Sequence, residues 1–243
     1  AEIRAAYQRE QEAARAAASD AEEDAGAEDP SSVREEIERH VKALQSGDAD
    51  GKKAAVEALG WLAYHDATFD VIAQRLMGLL LGGSADGQEQ AALVLAKFAS
   101  SNVAIPICIV EAGCIVPLVA LVRTGAAGGK EAAAVALGHI AWSYAGAGFT
   151  RLCERNANQA AIVAAGGVEA LVALVRSGAA GGQEEAVEAL ARLIHCNPAN
   201  EAEIVEAGGV EALLALVANG AARGQKKAAR VLGSLALDNA ANQ

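Results

Sequence analysis

The chain contains five copies of one spaced pattern, in which a glycine is followed four residues later by a second glycine, then by an alanine and a leucine at fixed distances. The glycine pairs are Gly47/Gly51, Gly83/Gly87, Gly125/Gly129, Gly178/Gly182 and Gly220/Gly224. The alanines and leucines are Ala55, Ala91, Ala133, Ala186 and Ala228, and Leu59, Leu95, Leu137, Leu190 and Leu232. Each column advances by 36, 42, 53 and 42 residues. Such self-similarity predicts an array of one supersecondary unit, whose apolar face is buried only when neighbouring units stack on it.

The last copy shows how a unit is built. A short helix that ends in residues 203–207 is predicted to stop at Gly208 and Gly209, where the chain turns. A second helix over 210–217 follows, because apolar residues recur there at i, i+3, i+4 and i+7. A longer third helix is predicted from Gln225 to Leu237. The unit is therefore short helix, sharp turn, helix, short loop and long helix.

This unit resembles the armadillo repeat. Residues 109–122, 162–175 and 204–217 read IVEAGCIVPLVALV, IVAAGGVEALVALV and IVEAGGVEALLALV, which is similar to the junction between the family's first two helices. The likeness covers about residues 32–243 and recurs in register. HEAT repeats are the alternative, but they lack a three-helix unit with this A-G-G turn. The resemblance implies an all-α fold, a right-handed α-solenoid of armadillo-type three-helix repeats.

Two regions are predicted along the chain. Residues 1–30 form an Ala/Glu-rich helical arm and an acidic linker, and residues 31–243 form a solenoid of about five units. The first unit is predicted to be a cap, because Ser32 and Glu35 have the spacing of a capping box. Since residues 240–243 (AANQ) repeat residues 156–159 (NANQ), we expect the chain to be a fragment of a longer array.

Two units depart from the regular period. The first step is only 36 residues, and residues 65–69 leave no room for a full first helix in the second unit. The 53-residue step contains an insertion, predicted to be a loop over residues 143–155. Aromatic rings beside arginines are typical of interface hot spots, and this segment supplies a candidate interface loop, although its rings could equally fold onto the solenoid. Its residues are Trp142, Tyr144, Phe149, Arg151 and Arg155.

Composition limits the kind of partner and the compartment. The net charge is −11, without the basic footprint of a nucleic-acid-binding protein, so we expect protein or peptide partners and no nucleic acid. No apolar run reaches the roughly 18 residues of a membrane span and no signal peptide is visible, so we expect no membrane insertion. We expect a cytoplasmic or nuclear protein. Apolar residues make up 53% of the chain but aromatic residues only 3%, which indicates a core of small aliphatic side chains.

No motif predicts catalysis, a cofactor or a metal. The cysteines, Cys108, Cys114, Cys153 and Cys196, lack the C-x-x-C spacing of zinc or redox sites and are expected to be free thiols in a reducing compartment. The four histidines lie far apart in the sequence. The glycine-rich segment 125–130 lacks the first glycine and the Ser or Thr of a phosphate-binding loop. We therefore expect a protein that is not an enzyme and has no cofactor.

The resemblance directs attention to the third helices, which in armadillo proteins line a concave groove that commonly binds an extended peptide. In the family's nuclear-import adaptors a Trp and, four residues on, an Asn recur on this helix. Here the Trp column reads Glu57, Leu93, Val135, Glu188 and Arg230. The Asn column reads Trp61, Lys97, His139, Arg192 and Ser234. Neither column keeps the family's residue, so binding of basic import signals is not supported.

These ten positions are the predicted partner-binding groove. One hypothesis is that Lys97, His139 and Arg192 bind a polar or acidic extended segment while Trp61 packs an apolar residue. The alternative is that they are ordinary solvated or locally paired side chains. The carboxylates of Glu184, Glu185 and Glu188 are predicted to form a solvated helix face.

The predicted function is that of a non-enzymatic protein–protein interaction scaffold, which binds an extended polypeptide segment along the groove. Two alternatives remain open. The chain could be the substrate-recruiting region of a larger enzyme assembly, such as a ubiquitin ligase, or a structural subunit of a large multiprotein complex.

Overall fold

The computed structural model describes residues 30–63, 66–101, 105–142 and 149–237. These residues form thirteen helices and no strand. The helices are α1 (Pro30–Ser46), α2 (Ala49–Leu62), α3 (Asp66–Gly82), α4 (Ala85–Ser101), α5 (Ile105–Glu111), α6 (Ile115–Thr124), α7 (Ala127–Ala141), α8 (Phe149–Ala164), α9 (Gly167–Ser177), α10 (Ala180–Ile194), α11 (Pro198–Glu206), α12 (Gly209–Asn219) and α13 (Ala222–Leu237). Apart from the first residues of α1, they belong to one compact unit, Ile37–Gln243.

The repeated glycine pairs mark the junction between the second and third helices of a unit. Gly125 ends α6, and its N–H donates to the carbonyl oxygen of Leu121. The second glycine of that pair, Gly129, lies in the first turn of α7, where a Cβ atom would come within 3.2 Å of Leu121 Cδ1. The missing side chain therefore lets the third helix begin directly against the second.

The A-G-G turn joins the first helix of a unit to the second, as predicted. Gly208 has φ 74° and Gly166 has φ 74°, in the left-handed region that residues with a Cβ rarely adopt. The turn also accepts a hydrogen bond from the preceding unit, because Arg176 on α9 donates to the carbonyl oxygen of Gly208 at 2.8 Å. Arg123 on α6 donates in the same way to Gly166, also at 2.8 Å.

The third helices pack against one another in the order α2, α4, α7, α10 and α13. The second-helix layer runs from α3 through α6 and α9 to α12. The alanines of the repeated pattern, Ala55, Ala91, Ala133, Ala186 and Ala228, are all completely buried. Small side chains let neighbouring helices approach closely, so the buried alanines allow the third helices to pack tightly into the core. The described helices thus form an α-solenoid.

Buried amide side chains tie the units together at the ends of the third helices. Asn200 on α11 donates to the carbonyl oxygen of Leu193 at 2.8 Å, which satisfies an unpaired group at the end of α10. Gln159 on α8 reaches the same helix end, where its Nε2 donates to the carbonyl oxygen of Arg192 at 2.9 Å. Its Oε1 accepts from Asn197 at 2.8 Å. One buried amide therefore connects three helices, α8, the end of α10 and the start of α11.

The structure confirms one prediction about the departures from the regular unit and contradicts two others. A single helix, α3, replaces the first two helices of the second unit, which confirms that a full first helix is absent there. The predicted loop over 143–155 is wrong from Phe149 onward, because α8 begins at that residue. Residues 149–155 contain no Gly or Pro, so nothing in the sequence interrupts the helix that continues to Ala164. Ser32 lies within the first turn of α1 and does not cap it, because that helix begins at Pro30.

Two further predictions concern the N-terminal arm with Tyr144 and the absence of a membrane span. Residues 1–29 and Tyr144 lie outside the described residues. Among the helices that are described, none is by itself both long and apolar enough to cross a membrane, although two bent pairs, α5 with α6 and residues 155–164 of α8 with α9, together reach that length and composition.

Replacing Gly208 with alanine is expected to destabilise the chain by about 1–2 kcal/mol, because an alanine there must adopt the left-handed conformation. Its Cβ would also collide with the guanidinium of Arg176. Gly233 is the matched control, since it lies inside α13 and a Cβ there meets no atom within 4 Å. Gly233→Ala should stabilise the chain by roughly 0.5–1 kcal/mol. Urea unfolding followed by circular dichroism measures both, and equal effects of the two substitutions would contradict the role assigned to the turn.

Candidate functional site

The ten predicted groove positions lie on the five third helices, and we call them the ladder face. Each helix contributes two of them, one turn apart. Because these helices pack in sequence order, equivalent positions become neighbours across the stack. In chain order the ladder face consists of Glu57 and Trp61, Leu93 and Lys97, Val135 and His139, Glu188 and Arg192, and Arg230 and Ser234.

The first part of the ladder face, on α2 and α4, exposes apolar surface. The indole side chain of Trp61, in the last turn of α2, is 75% exposed. Leu93 on the adjacent α4 is 37% exposed, whereas its neighbours Ala92 and Val94 are completely buried. Glu57 and Lys97 are also exposed. A ligand can therefore contact two large apolar side chains on neighbouring third helices. One charge of each sign flanks them.

The last part, on α10 and α13, is a network of ion pairs centred on Glu188. The Glu188 carboxylate accepts from Arg230 at 2.9 Å and lies 3.8 Å from Lys227 Nζ, both on α13. Arg192, one turn further along α10, lies 3.5 Å from the same carboxylate. One carboxylate is thus surrounded by three cations.

The prediction that the carboxylates of α10 form a solvated face is wrong. Glu184 lies 3.4 Å from Arg223, and Glu185 lies 3.2 Å from Lys227. These two side chains and Glu188 retain only 13–26% of their exposure. The reason is the spacing of the stack, which brings the cations of α13 opposite the carboxylates of α10, a pairing between residues about 42 apart that a single helix does not reveal.

His139 connects the middle of the ladder face to this network. Burial lowers the pKa of His139 below its usual 6.5, and the Arg192 guanidinium lowers it further, while Glu185 and Glu188 oppose the shift. Arg192 lies over Gly138, where a Cβ atom would stand 3.4 Å from one of its Nη atoms. The structure therefore brings His139 and Arg192 together, and Arg192 is locally paired.

A cleft of about 430 Å³ opens between α10, α13 and the end of α7. The apolar part of its lining is made by Ala191, Ile194 and Val231. The rings of Trp142 and His195 stand with their centroids 4.7 Å apart, inclined by 50°. The ladder-face residues Glu188, Arg192, Arg230 and Ser234 complete the lining.

Two regions that the sequence presents as separate candidates meet in this cleft. Trp142 belongs to the predicted interface loop, and four lining residues belong to the ladder face. Phe149 and Arg151 lie on α8. Arg155 is half-buried on the same helix and does not line the cleft. Sequence reasoning missed His195, although the 53-residue step that relates the third helices of these two units also relates Trp142 to His195.

Burial limits the chemistry of one cysteine, Cys114. Burial raises the pKa of the Cys114 thiol to about 11, so it stays protonated near neutrality and is a poor nucleophile. Within the part of the chain that the structure describes, no group of three or more His, Cys, Asp or Glu side chains is placed to hold a metal ion. The charged groups that do converge are those around Glu188, and they are suited to binding by ion pairs and hydrogen bonds.

Comparison with known proteins agrees with the architecture. A family model described as the Armadillo/beta-catenin-like repeat matches residues 102–142, 155–195 and 197–237. No curated protein matches the chain. Two crystal structures of engineered proteins are similar to it, one at 27% identity and TM-score 0.65 over 81% of this chain and 79% of the other, the second at 33% identity and TM-score 0.64 over 83% and 79%. A designed armadillo repeat protein in complex with the peptide (KR)4 shares the fold at 24% identity and TM-score 0.62, over 84% of this chain and 86% of the other.

Replacing Arg192 with glutamine is expected to raise the pKa of His139, because one cause of its lowering is removed while Glu185 and Glu188 remain. In the unaltered chain the unfolded state binds this proton more readily than the folded state. The contribution of His139 to the free energy of unfolding is therefore complete above pH 6.5 and is lost as the pH falls towards the folded pKa. Histidine Cε1–H resonances followed through a pH titration measure the pKa, and His139→Gln identifies the signal. Arg223→Gln is the control, since Arg223 pairs with Glu184 and should leave the titration unchanged. An identical pKa in both variants would contradict the coupling.

Proposed function

The chain belongs to the armadillo repeat family, and on that premise we propose that it is a non-catalytic protein-interaction scaffold that binds an extended polypeptide segment along the ladder face. The observation that carries the proposal is the exposure of Trp61 and Leu93 on adjacent third helices. Large apolar side chains that stay exposed on a rigid stack are typical of binding surfaces. A designed armadillo repeat protein with the same fold holds a peptide, which supports a peptide ligand in general.

The spacing of the stack suits an extended ligand. Packed helices lie about 8–10 Å apart, and an extended chain advances about 3.3 Å per residue. Every third residue of a bound segment therefore meets the next third helix of the stack. An apolar residue placed on Trp61 would be followed, about three positions along, by one that lies beside Leu93 and Lys97.

The charges of the ladder face favour a polar or acidic segment with an apolar anchor. Lys97 is exposed on α4, the third helix next to that of Trp61, and can pair with a carboxylate of the ligand. A basic ligand of the (KR)4 type needs carboxylates to receive it. Glu188 is the central carboxylate of the ladder face on α10 and α13, and three cations already surround it. A basic segment would have to displace those cations.

Binding is expected to depend on Trp61 and Lys97. Dodecapeptides selected on the chain from a random phage-displayed library provide the probes. Trp61→Ala should weaken their binding by roughly tenfold or more, as truncation of a hot-spot aromatic residue does, and Lys97→Glu should weaken acidic members of the set. Fluorescence anisotropy with the synthetic peptides measures the affinities.

Val116→Ala is the matched control for this experiment. Val116 is 65% exposed but lies on α6, a second helix, outside the ladder face. Selected peptides should bind that variant and the unaltered chain equally. If no peptide is selected, or if the selected peptides bind the Trp61→Ala and Lys97→Glu variants as tightly as the control, the ladder face is not the binding surface.

A further inference from the structure

The cleft between α10, α13 and the end of α7 differs in chemistry from the exposed apolar end of the ladder face. We infer that it holds the carboxylate of an aspartate or glutamate side chain in the bound polypeptide, an inference that rests on the proposed function. Three features of the cleft support this occupant: its excess of positive charge, the unused donors of its two arginines and its apolar side chains.

The charge of the cleft is unbalanced toward the positive. Its lining contains two guanidinium groups, those of Arg192 and Arg230, against the single carboxylate of Glu188. Just outside the lining, Lys227 is shared between Glu188 and Glu185, so the surrounding pairs do not restore the balance. One further negative charge would neutralise the lining.

The two arginines have donors to spare for that charge. Each guanidinium carries five N–H donors, and Arg192 meets Glu188 through Nε while Arg230 meets it through one Nη. The Arg230 side chain is 62% exposed although it makes this ion pair. A carboxylate that enters the cleft can therefore be bound in the two-pronged geometry that arginine favours, without displacing Glu188.

The rest of the lining suits the carbon chain of an acidic residue. Ile194 and Val231, which line the cleft, are apolar and almost completely buried. The Trp142 and His195 rings form an aromatic contact at the ends of their helices. Ion pairs are stronger where apolar groups limit the access of water, so a carboxylate should bind better here than on the open surface beside Lys97.

The cleft can be tested separately from the apolar end of the ladder face. From α2 to the gap between α10 and α13 is more than three helix spacings, or roughly 30 Å, whereas a tripeptide spans about 10 Å. A tripeptide bound in the cleft therefore cannot reach Trp61. The chain contains only two tryptophans, Trp61 and Trp142, so each region has its own indole reporter.

The experiment follows the two indole N–H resonances of 15N-labelled chain while blocked tripeptides are added. The probes are Ac-Leu-Glu-Leu-NH2 and its uncharged counterpart Ac-Leu-Gln-Leu-NH2. Trp61→Phe and Trp142→Phe assign the two signals. The glutamate peptide should shift the Trp142 resonance at concentrations about tenfold lower than the glutamine peptide, the difference expected for one charge-assisted contact. Added salt should weaken the glutamate peptide only.

Arg230→Gln should remove the preference for glutamate. Arg223→Gln is its matched control, because Arg223 lies on the same helix, pairs with Glu184 and does not line the cleft. The control should keep the preference. Circular dichroism confirms that both variants remain folded.

Three results would overturn the inference: equal responses to the two tripeptides, no response of Trp142 to either, or loss of the preference in both arginine variants. None of them would refute the proposed function, which is tested by whether the affinity of the dodecapeptides depends on Trp61 and Lys97. The opposite outcome is also distinguishable. If Trp142 responds selectively to the glutamate peptide but the dodecapeptides bind the Trp61→Ala variant with unchanged affinity, the carboxylate site in the cleft is supported and the role of Trp61 as an apolar anchor is rejected.

Discussion

The close approach of the third helices is the constraint on which the rest of the structure depends. The alanines that are completely buried at the same position of every unit leave room for close packing, and Gly138 lets α7 approach α10 so closely that a Cβ there would lie 3.4 Å from Ala189. At this spacing a side chain on one helix reaches its counterpart on the following helix. The ion pairs between α10 and α13 and the contact of Arg192 with Gly138 both follow from it. A functional surface made of aligned columns is thus a consequence of how the core packs.

The two ends of the ladder face use that alignment differently. Around Trp61 and Leu93 the columns leave apolar side chains exposed, and affinity there would come from removing them from water. Around Glu188 the columns place opposite charges on neighbouring helices, which satisfy one another before any ligand arrives. Binding at that end depends on the small excess of positive charge that the internal pairing leaves.

The sequence predicted the fold in detail but the site only in part. The spacing of glycines, alanines and leucines identified the stacked helices, the A-G-G turn and the missing helix of the second unit, because these features depend on local pattern and period. The predicted loop is wrong over residues 149–155, because no helix-breaking residue is present there and α8 begins at Phe149.

The charges and the cleft could not be predicted for a different reason. The pairing of Glu188 with Arg230 depends on which faces of α10 and α13 meet, and a helix considered alone does not show this. Trp142 and His195 come together only because their helices end side by side. The repeat step relates these residues in the sequence, but the contact between them is a property of the stack.

The buried amide of Gln159 has a consequence for how such an array changes over evolutionary time. The extra residues of the 53-residue step all precede residue 156. Asn158 and Gln159, whose side chains donate to the carbonyl oxygens of Ile140 and Arg192, lie after it. The additional length is therefore absorbed upstream of the groups that hold consecutive units in register. The junction between α7 and α8 is a place where new sequence can be acquired without disturbing the stack, and Trp142, the residue that follows α7, lines the cleft.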